Sequence, residues 1–126
     1  QLRPCHNDLL NGNFIDDGAR IRILDWEYAG MGDIFFDLGN FAVQHEFTVE
    51  QDDILLNAYF GDPTDSQRAH LKLMKIMSDL REEMWAQVQI GVSQLDFDYK
   101  GYGQKYFERF EASTSGSDYQ KWLREV

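Results

Sequence analysis

The sequence predicts an α+β fold that is mostly helical, with a β-hairpin near its start and a helical bundle after it. Three observations support this prediction. An Asp-Gly pair at residues 17–18 separates two short apolar segments, which is typical of a hairpin. Capping-box signatures at residues 48–51 and 64–67 each predict the start of a helix. Apolar residues then recur with helical spacing along residues 71–92.

The hairpin is expected within the first 32 residues. Its first strand is the apolar segment 13–15, and its second strand is 20–24, in which apolar and basic residues alternate. At Leu24 we expect this half-buried strand to become fully buried, because the alternation ends there. The second strand then delivers the carboxylate of Asp25 at its end.

Three helices are expected directly after the hairpin. Asp33 is placed to cap the first of them, which runs to about His45. The first capping box begins a helix that ends near Gly61, and the second begins a long helix that ends near Leu95.

The rest of the chain is also predicted to be helical. A fourth helix covers about residues 99–112, residues 113–117 form a loop, and a short helix closes the chain. The third helix has an apolar stripe, and we expect most of its members to be core. They are Leu71, Met74, Met77, Leu80, Met84, Val88 and Val92.

Composition limits the classes of function. The 126 residues form one domain and include 12 Lys and Arg against 22 Asp and Glu, for a net charge of −10. This balance argues against nucleic acid as the main partner, because binding phosphates needs clustered basic residues. One cysteine excludes an internal disulfide framework and a Cys-rich zinc site. No apolar run is long enough for a membrane helix, so we expect no membrane insertion and a cytoplasmic location.

The residues that carry chemistry lie at 6–13 and 24–27. The first segment, His-Asn-Asp-Leu-Leu-Asn-Gly-Asn, matches the kinase catalytic-loop spacing H-x-D-x-x-x-x-N. A carboxylate and an amide five residues apart on one loop are able to face the same phosphate from two sides. Taken alone, these are also ordinary turn residues. The hairpin that presents Asp25 beside them is what favours a phosphotransfer site.

Each polar residue of these segments has a predicted role. Asp8 is the catalytic base, or the residue that orients the hydroxyl group of the substrate. Asn13 and Asp25 are the predicted Mg²⁺ ligands, and Glu27 is a weaker candidate, because Mg²⁺ takes a few protein oxygens together with phosphate and water. His6 is expected to hold the loop by packing and hydrogen bonding.

These segments resemble the aminoglycoside phosphotransferase/choline kinase superfamily, which has the protein-kinase-like fold, and its choline/ethanolamine kinase branch in particular. The resemblance rests on residues 6–13, on Ile-Leu-Asp-Trp-Glu-Tyr-Ala-Gly at 23–30 and on Asp-Leu-Gly-Asn at 37–40. It implies that residues 1–126 are the C-terminal lobe, which binds acceptor and metal, and that an N-terminal nucleotide-binding lobe of the same protein is missing. For Asp37 it implies a supporting hydrogen bond to backbone amides near the catalytic loop.

The resemblance also implies ATP as phosphoryl donor and a small cationic alcohol as acceptor, with choline or ethanolamine first. Trp85, Tyr99 and Tyr102 match the family's aromatic pattern around a quaternary ammonium, and Tyr28 is a further candidate for the pocket. Glu82 stands where the family tends to have another tryptophan, so an aminoglycoside is the alternative acceptor. Core packing is the alternative role for the aromatic residues. A pseudoenzyme or ligand-binding module is the alternative for the whole chain.

Overall fold

Residues 2–126, the part of the chain that the computed structural model describes, form four short strands followed by five α-helices. A 3₁₀ turn at Asn11–Asn13 precedes the second strand. The predicted class, a mostly helical α+β fold, is confirmed. The elements are β1 (Leu2–Cys5), β2 (Phe14–Asp16), β3 (Ile21–Ile23), β4 (Gly30–Asp33), α1 (Ile34–Gln44), α2 (Val49–Phe60), α3 (Asp65–Val92), α4 (Tyr99–Ser115) and α5 (Ser117–Glu125).

The predicted hairpin is formed by β2 and β3. The two strands are antiparallel, with Phe14 opposite Ile23, and the turn contains Gly18 at a φ of 81°, a conformation that glycine adopts without strain. The expected burial of Leu24 is wrong, because this side chain is 42% exposed. The sheet is only two strands wide, and β3 is exposed along its whole length.

A second antiparallel ribbon, which the sequence did not indicate, joins β1 to β4. Leu2 lies opposite Asp33, and Cys5 lies opposite Gly30. Proline in β1 and two glycines in β4 give these segments little intrinsic preference for a strand. The ribbon closes the chain between residues 5 and 30 into a loop, so the segments 6–13 and 24–28 are brought to the same end of the molecule.

The predicted helix starts are confirmed. Asp33 caps α1 by accepting a hydrogen bond from the amide of Phe35 at 2.9 Å, and both capping boxes are complete. The predicted loop at 113–117 is wrong, because α4 continues to Ser115 and only Gly116 separates it from α5. The hydroxyl of Thr114 donates to the carbonyl of Phe110 at 2.9 Å, so this residue is satisfied inside the helix.

Helix α3 packs mainly against α1, α4 and α5, and an apolar core cluster lies where it meets α1 and α2. Leu38, Leu56 and Leu71 form its apolar centre. α1 and α3 come so close at Gly39 that an added Cβ would lie 2.8 Å from the carbonyl carbon of Met74. Within residues 2–126, no helix is long and apolar enough to cross a membrane.

The expectation that most of the apolar stripe of α3 is core is wrong. Met77, Met84 and Val88 are 46–58% exposed, and Val92 is 68% exposed. α1 and α4 pack on a different face of the helix, so the buried positions of α3 include small and polar residues such as Ala86, Ser78 and Glu82. Met77, Met84 and Val88 line an open apolar cavity of about 740 Å³.

Candidate active site

The segment 6–13 is held by side chains from the start of α1. The carboxylate of Asp37 accepts hydrogen bonds from the amides of His6 at 2.6 Å and Asn7 at 2.7 Å. The side-chain oxygen of Asn40 accepts from the amide of Leu9 at 2.6 Å. Three backbone donors of the loop are therefore satisfied by Asp37 and Asn40, which belong to the Asp-Leu-Gly-Asn element at 37–40.

His6 connects this loop to the residue before Asp25. Its side chain is buried, with Nε2 2.7 Å from the carbonyl oxygen of Leu24 and Nδ1 3.2 Å from the amide of Asp8. Because a carbonyl only accepts and an amide only donates, Nε2 carries the hydrogen and the ring is the neutral tautomer. The edge of the ring packs on Trp26, with centroids 4.6 Å apart.

Three of the four predicted catalytic and metal-binding residues line one cavity of about 220 Å³, and Asn13 is not among its lining residues. The three are Asp8, Asp25 and Glu27. Asn13 is joined to Asp8, because its Nδ2 donates to the main-chain carbonyl of Asp8 at 2.8 Å. Asp25 has a φ of 59°, a left-handed conformation that is uncommon outside glycine and is found at functional sites.

Four of the five residues predicted to bind the acceptor also line this cavity, namely Tyr28, Glu82, Trp85 and Tyr102. The ring of Trp85 contacts that of Tyr102 edge to face at 5.8 Å. Tyr99 is not among the lining residues. It is buried, its ring packs against Trp85 at 5.7 Å, and its hydroxyl pairs with Ser93 at 2.9 Å. The structure therefore places Tyr99 behind Trp85, as part of the core.

Arg81 lines the cavity as well, and the sequence analysis missed it. Its Nη1 donates to Oδ1 of Asp8 at 3.0 Å and to Oε1 of Glu82 at 2.9 Å. Its guanidinium carbon lies 5.3 Å from the centre of the Tyr28 ring. The only signal in the sequence is the position of Arg81, one helical turn before Trp85 and next to Glu82.

Glu82 has both of its carboxylate oxygens engaged. Oε1 accepts from Arg81, and Oε2 accepts from the hydroxyl of Tyr102 at 2.7 Å. The side chain is almost fully buried, which requires such partners for a charged group. Burial raises the pKa of Tyr102, and the neighbouring Tyr106 and Glu82 side chains raise the pKa further, so the hydroxyl of Tyr102 stays protonated and donates to Glu82.

A sequence profile described as the phosphotransferase enzyme family matches residues 1–71, which include both segments predicted to carry the chemistry. The chain belongs to this family. Among members of the family and their solved structures, a choline/ethanolamine kinase family protein from Mesorhizobium loti superposes with a TM-score of 0.90 at 34% identity, over 99% of this chain and 43% of that one. The predicted resemblance to choline and ethanolamine kinases is thereby confirmed.

Two curated relatives are similar to this phosphotransferase-family chain over much of its length. Protein LicA of Haemophilus influenzae is 33% identical over 95 residues, which are 70% of this chain and 36% of LicA. Human ethanolamine kinase 2 is 31% identical over 127 residues, covering 84% of this chain and 33% of the relative. The chain thus spans about a third of the length of these two relatives.

The oxygen donors at the cavity suit the Mg²⁺ that phosphotransferases of this family are expected to use. Asp25 and Glu27 offer carboxylates, and the amide nitrogen of Asn13 is engaged, so its oxygen is the atom that it can offer to a cation. These are hard donors of the kind that Mg²⁺ prefers. No three His, Cys, Asp or Glu side chains among residues 2–126 lie close enough to hold a metal ion. The predicted site therefore relies on an amide and on oxygens from a substrate or water.

Proposed function

We propose that this chain is the acceptor- and metal-binding lobe of an ATP- and Mg²⁺-dependent kinase that phosphorylates a hydroxyl group of a small cationic alcohol. The observation that carries the proposal is the convergence of Asp8 and Asp25 on one cavity whose other wall holds Trp85 and Tyr102. Asn13 is hydrogen-bonded to Asp8. The names of the relatives support a kinase. Since the chain spans only part of their length, we assign binding of ATP mainly to an N-terminal lobe of the same protein.

The proposed reaction assigns a role to each group of the loop. Asp8 orients the acceptor hydroxyl and accepts its proton, while Asn13 and Asp25, assisted by Glu27, hold Mg²⁺. The cation supplies charge neutralisation for the transferring phosphoryl group when it is bound. His6, Asp37 and Asn40 keep the loop in position before the substrates arrive, and catalysis of this kind depends mainly on such positioning.

Choline or ethanolamine is the proposed acceptor. Four carboxylates line the cavity against the cation of Arg81, so the formal charge of its side chains stays negative with Mg²⁺ bound and favours a positively charged ligand. The rings of Trp85 and Tyr102 provide faces for a cation–π contact. A volume of about 220 Å³ is below the usual range for drug-sized ligands, which favours an amino alcohol over an aminoglycoside.

Release of ADP by the full-length protein tests this proposal. With ATP and Mg²⁺ present, we would compare choline, ethanolamine and a panel of aminoglycosides. Trp85→Ala is expected to raise KM for choline by about 3- to 30-fold, the equivalent of one cation–π contact of up to about 2 kcal/mol. Trp122→Ala is the matched control, because this tryptophan lines a different cavity.

Each outcome separates the proposal from its alternatives. Turnover on choline or ethanolamine that weakens in Trp85→Ala supports the aromatic pocket. Turnover on aminoglycosides alone would keep the phosphotransfer and reject the acceptor. Mg²⁺-dependent nucleotide binding without turnover on any acceptor would identify a binding module.

A further inference from the structure

Arg81 lies between the two halves of the proposed site. We propose that it is a positioning residue for the transfer: it holds Asp8 by one carboxylate oxygen and ties it to the acceptor wall through Glu82 and Tyr102. This inference rests on the proposed function and extends it to a residue of α3. The contact joins residues that are 73 positions apart in the chain.

The geometry leaves one oxygen of Asp8 for the acceptor. Oδ1 is engaged by Nη1 of Arg81 at 3.0 Å. Oδ2 has Nδ2 of Asn13 at 3.4 Å, which is longer than a strong hydrogen bond. Oδ2 is therefore the oxygen that meets a hydroxyl group, and the bond to Arg81 fixes the rotation of the carboxylate that presents it.

A single nitrogen of Arg81 bridges two carboxylates. The same Nη1 that contacts Asp8 also donates to Glu82 at 2.9 Å, and Glu82 in turn accepts from Tyr102. Asp8 is thus connected through two side chains to the ring that packs on Trp85. When the residues that contact the acceptor shift, Asp8 moves with them. The distance between the acceptor hydroxyl and the carboxylate of Asp8 is therefore kept.

Arg81 keeps its positive charge in this position. Burial alone disfavours the charged form, but Glu82 and Asp8 outweigh that effect, and the pKa of Arg81 is raised. Among the described residues that line the cavity, Arg81 is the only cation, against Asp8, Asp25, Glu27 and Glu82. Without it, two partly buried carboxylates would face each other unpaired, which is strongly unfavourable.

Tyr28 helps to hold the guanidinium of Arg81 in place. Its ring lies under the guanidinium at 5.3 Å, a cation–π distance, so this ring already has a cation from the chain itself. The ammonium of the acceptor is therefore expected at Trp85 and Tyr102. Since Arg81 and Trp85 are four residues apart on α3, one face of that helix presents both the positioning residue and the acceptor contact.

The test uses two variants of Arg81 in the full-length protein with choline or ethanolamine as acceptor. Arg81→Met keeps the methylene packing and removes the charge. It is expected to lower kcat at least ~10-fold, because small displacements of a catalytic group have effects of this size. The acceptor KM should rise less than about 3-fold, since removing a cation does not weaken attraction for a cationic ligand. Arg81→Lys is expected to restore most of kcat, because one nitrogen makes both contacts.

Arg68→Met is the matched control. Its guanidinium pairs with Asp53, outside the cavity, so kcat and KM should both stay at the wild-type values. Thermal unfolding of each variant shows whether it is folded. If Arg81→Met does not fold, the kcat of Arg81→Lys tests the proposal instead. A kcat near the wild-type value supports it. A folded Arg81→Lys variant that is as inactive as Asp8→Asn overturns it.

Two results with a folded Arg81→Met variant would also overturn the inference. One is an unchanged kcat, and the other is a loss that appears only as a raised acceptor KM. Asp8→Asn, measured beside it, separates this failure from failure of the proposed function. Absence of turnover by the wild type on choline and ethanolamine would reject the proposed function, and full turnover in Asp8→Asn would reject Asp8 as the catalytic group. An inactive Asp8→Asn beside a fully active Arg81→Met rejects only the role of Arg81.

Discussion

The carboxylate of Asp37 accepts two short hydrogen bonds from the catalytic loop, one from the amide of His6 and one from that of Asn7. In Asp37→Asn one of these amides faces an NH₂ group and loses its acceptor. We expect the free energy of unfolding to fall by about 1.5–3 kcal/mol, the usual size for a hydrogen bond to a charged group. Urea denaturation measures this change.

Asp53→Asn provides the control for Asp37→Asn. Asp53 pairs with Arg68 and its side chain is 45% exposed, so its replacement is expected to cost less than about 1 kcal/mol. If the two variants lose the same stability, the two hydrogen bonds of Asp37 do not hold the loop as we describe.

We expect the stability of the protein to depend on pH through His45. Its ring is surrounded by Phe14, Phe41 and Phe47, and its Nε2 is buried without a hydrogen-bond partner among the described residues. Burial lowers the pKa of His45 below its ordinary value. Below about pH 6.5 the imidazole of His45 is therefore protonated in the unfolded chain but still neutral in the folded chain. The free energy of unfolding falls as the pH drops from there toward the folded-state pKa.

His45→Phe removes this titration and keeps a ring in the cluster. The loss of unfolding free energy between pH 7 and pH 5.5, measured by urea denaturation, is expected to be smaller in this variant, by at most ~1.4 kcal/mol per pH unit. If the unfolding free energies of the variant and the wild type change equally with pH, His45 is not the source of this pH dependence.

At the scale of elements, the crossing of α1 and α3 depends on Gly39. A methyl group there would press on backbone atoms of Met74 and Lys75, which cannot rotate away. Gly39→Ala is expected to cost about 1–3 kcal/mol of stability through overpacking. Because α1 also holds the catalytic loop through Asp37 and Asn40, activity of the full-length protein is expected to fall as well.

Gly91→Ala is the matched substitution on α3. Nothing lies within 4 Å of a Cβ built at this position, so alanine should stabilise the helix by about 0.5–1 kcal/mol. Thermal or urea unfolding of the two variants gives the comparison. If the two substitutions change the free energy of unfolding equally, or if Gly39→Ala is as stable as the wild type, then α1 and α3 are not in close contact at residue 39.

Elements whose signals are local could be predicted from the sequence. The hairpin turn and the caps at Asp33, Thr48 and Thr64 each involve residues within a few positions of one another. The β1–β4 ribbon joins segments about 30 residues apart with weak strand preference. The buried face of α3 is decided by where α1 and α4 pack, and helical spacing alone does not contain that information.

At the scale of the whole molecule, the site lies where the β1–β4 ribbon, the hairpin and the helices α1, α3 and α4 meet. That Asp8 and Asp25 lie at one cavity could be predicted from motif spacing, because the proposed phosphotransfer needs such groups on one loop and its neighbouring hairpin. The role of Arg81 depends on a contact between Asp8 and a helix 73 residues away, which no motif records. The core position of Tyr99 has the same cause, since both its neighbours and its burial arise from tertiary packing.

Transfer of a phosphoryl group to the acceptor is the central claim, and mass spectrometry of the acceptor tests it most directly. The full-length protein would be incubated with ATP, Mg²⁺ and choline or ethanolamine, beside its Asp8→Asn variant. We predict a phosphate ester of the acceptor with the wild type and a loss of at least ~100-fold in its formation with Asp8→Asn, as expected for a general base. An acceptor that stays unmodified while ATP is consumed, or equal product from Asp8→Asn, would contradict the account.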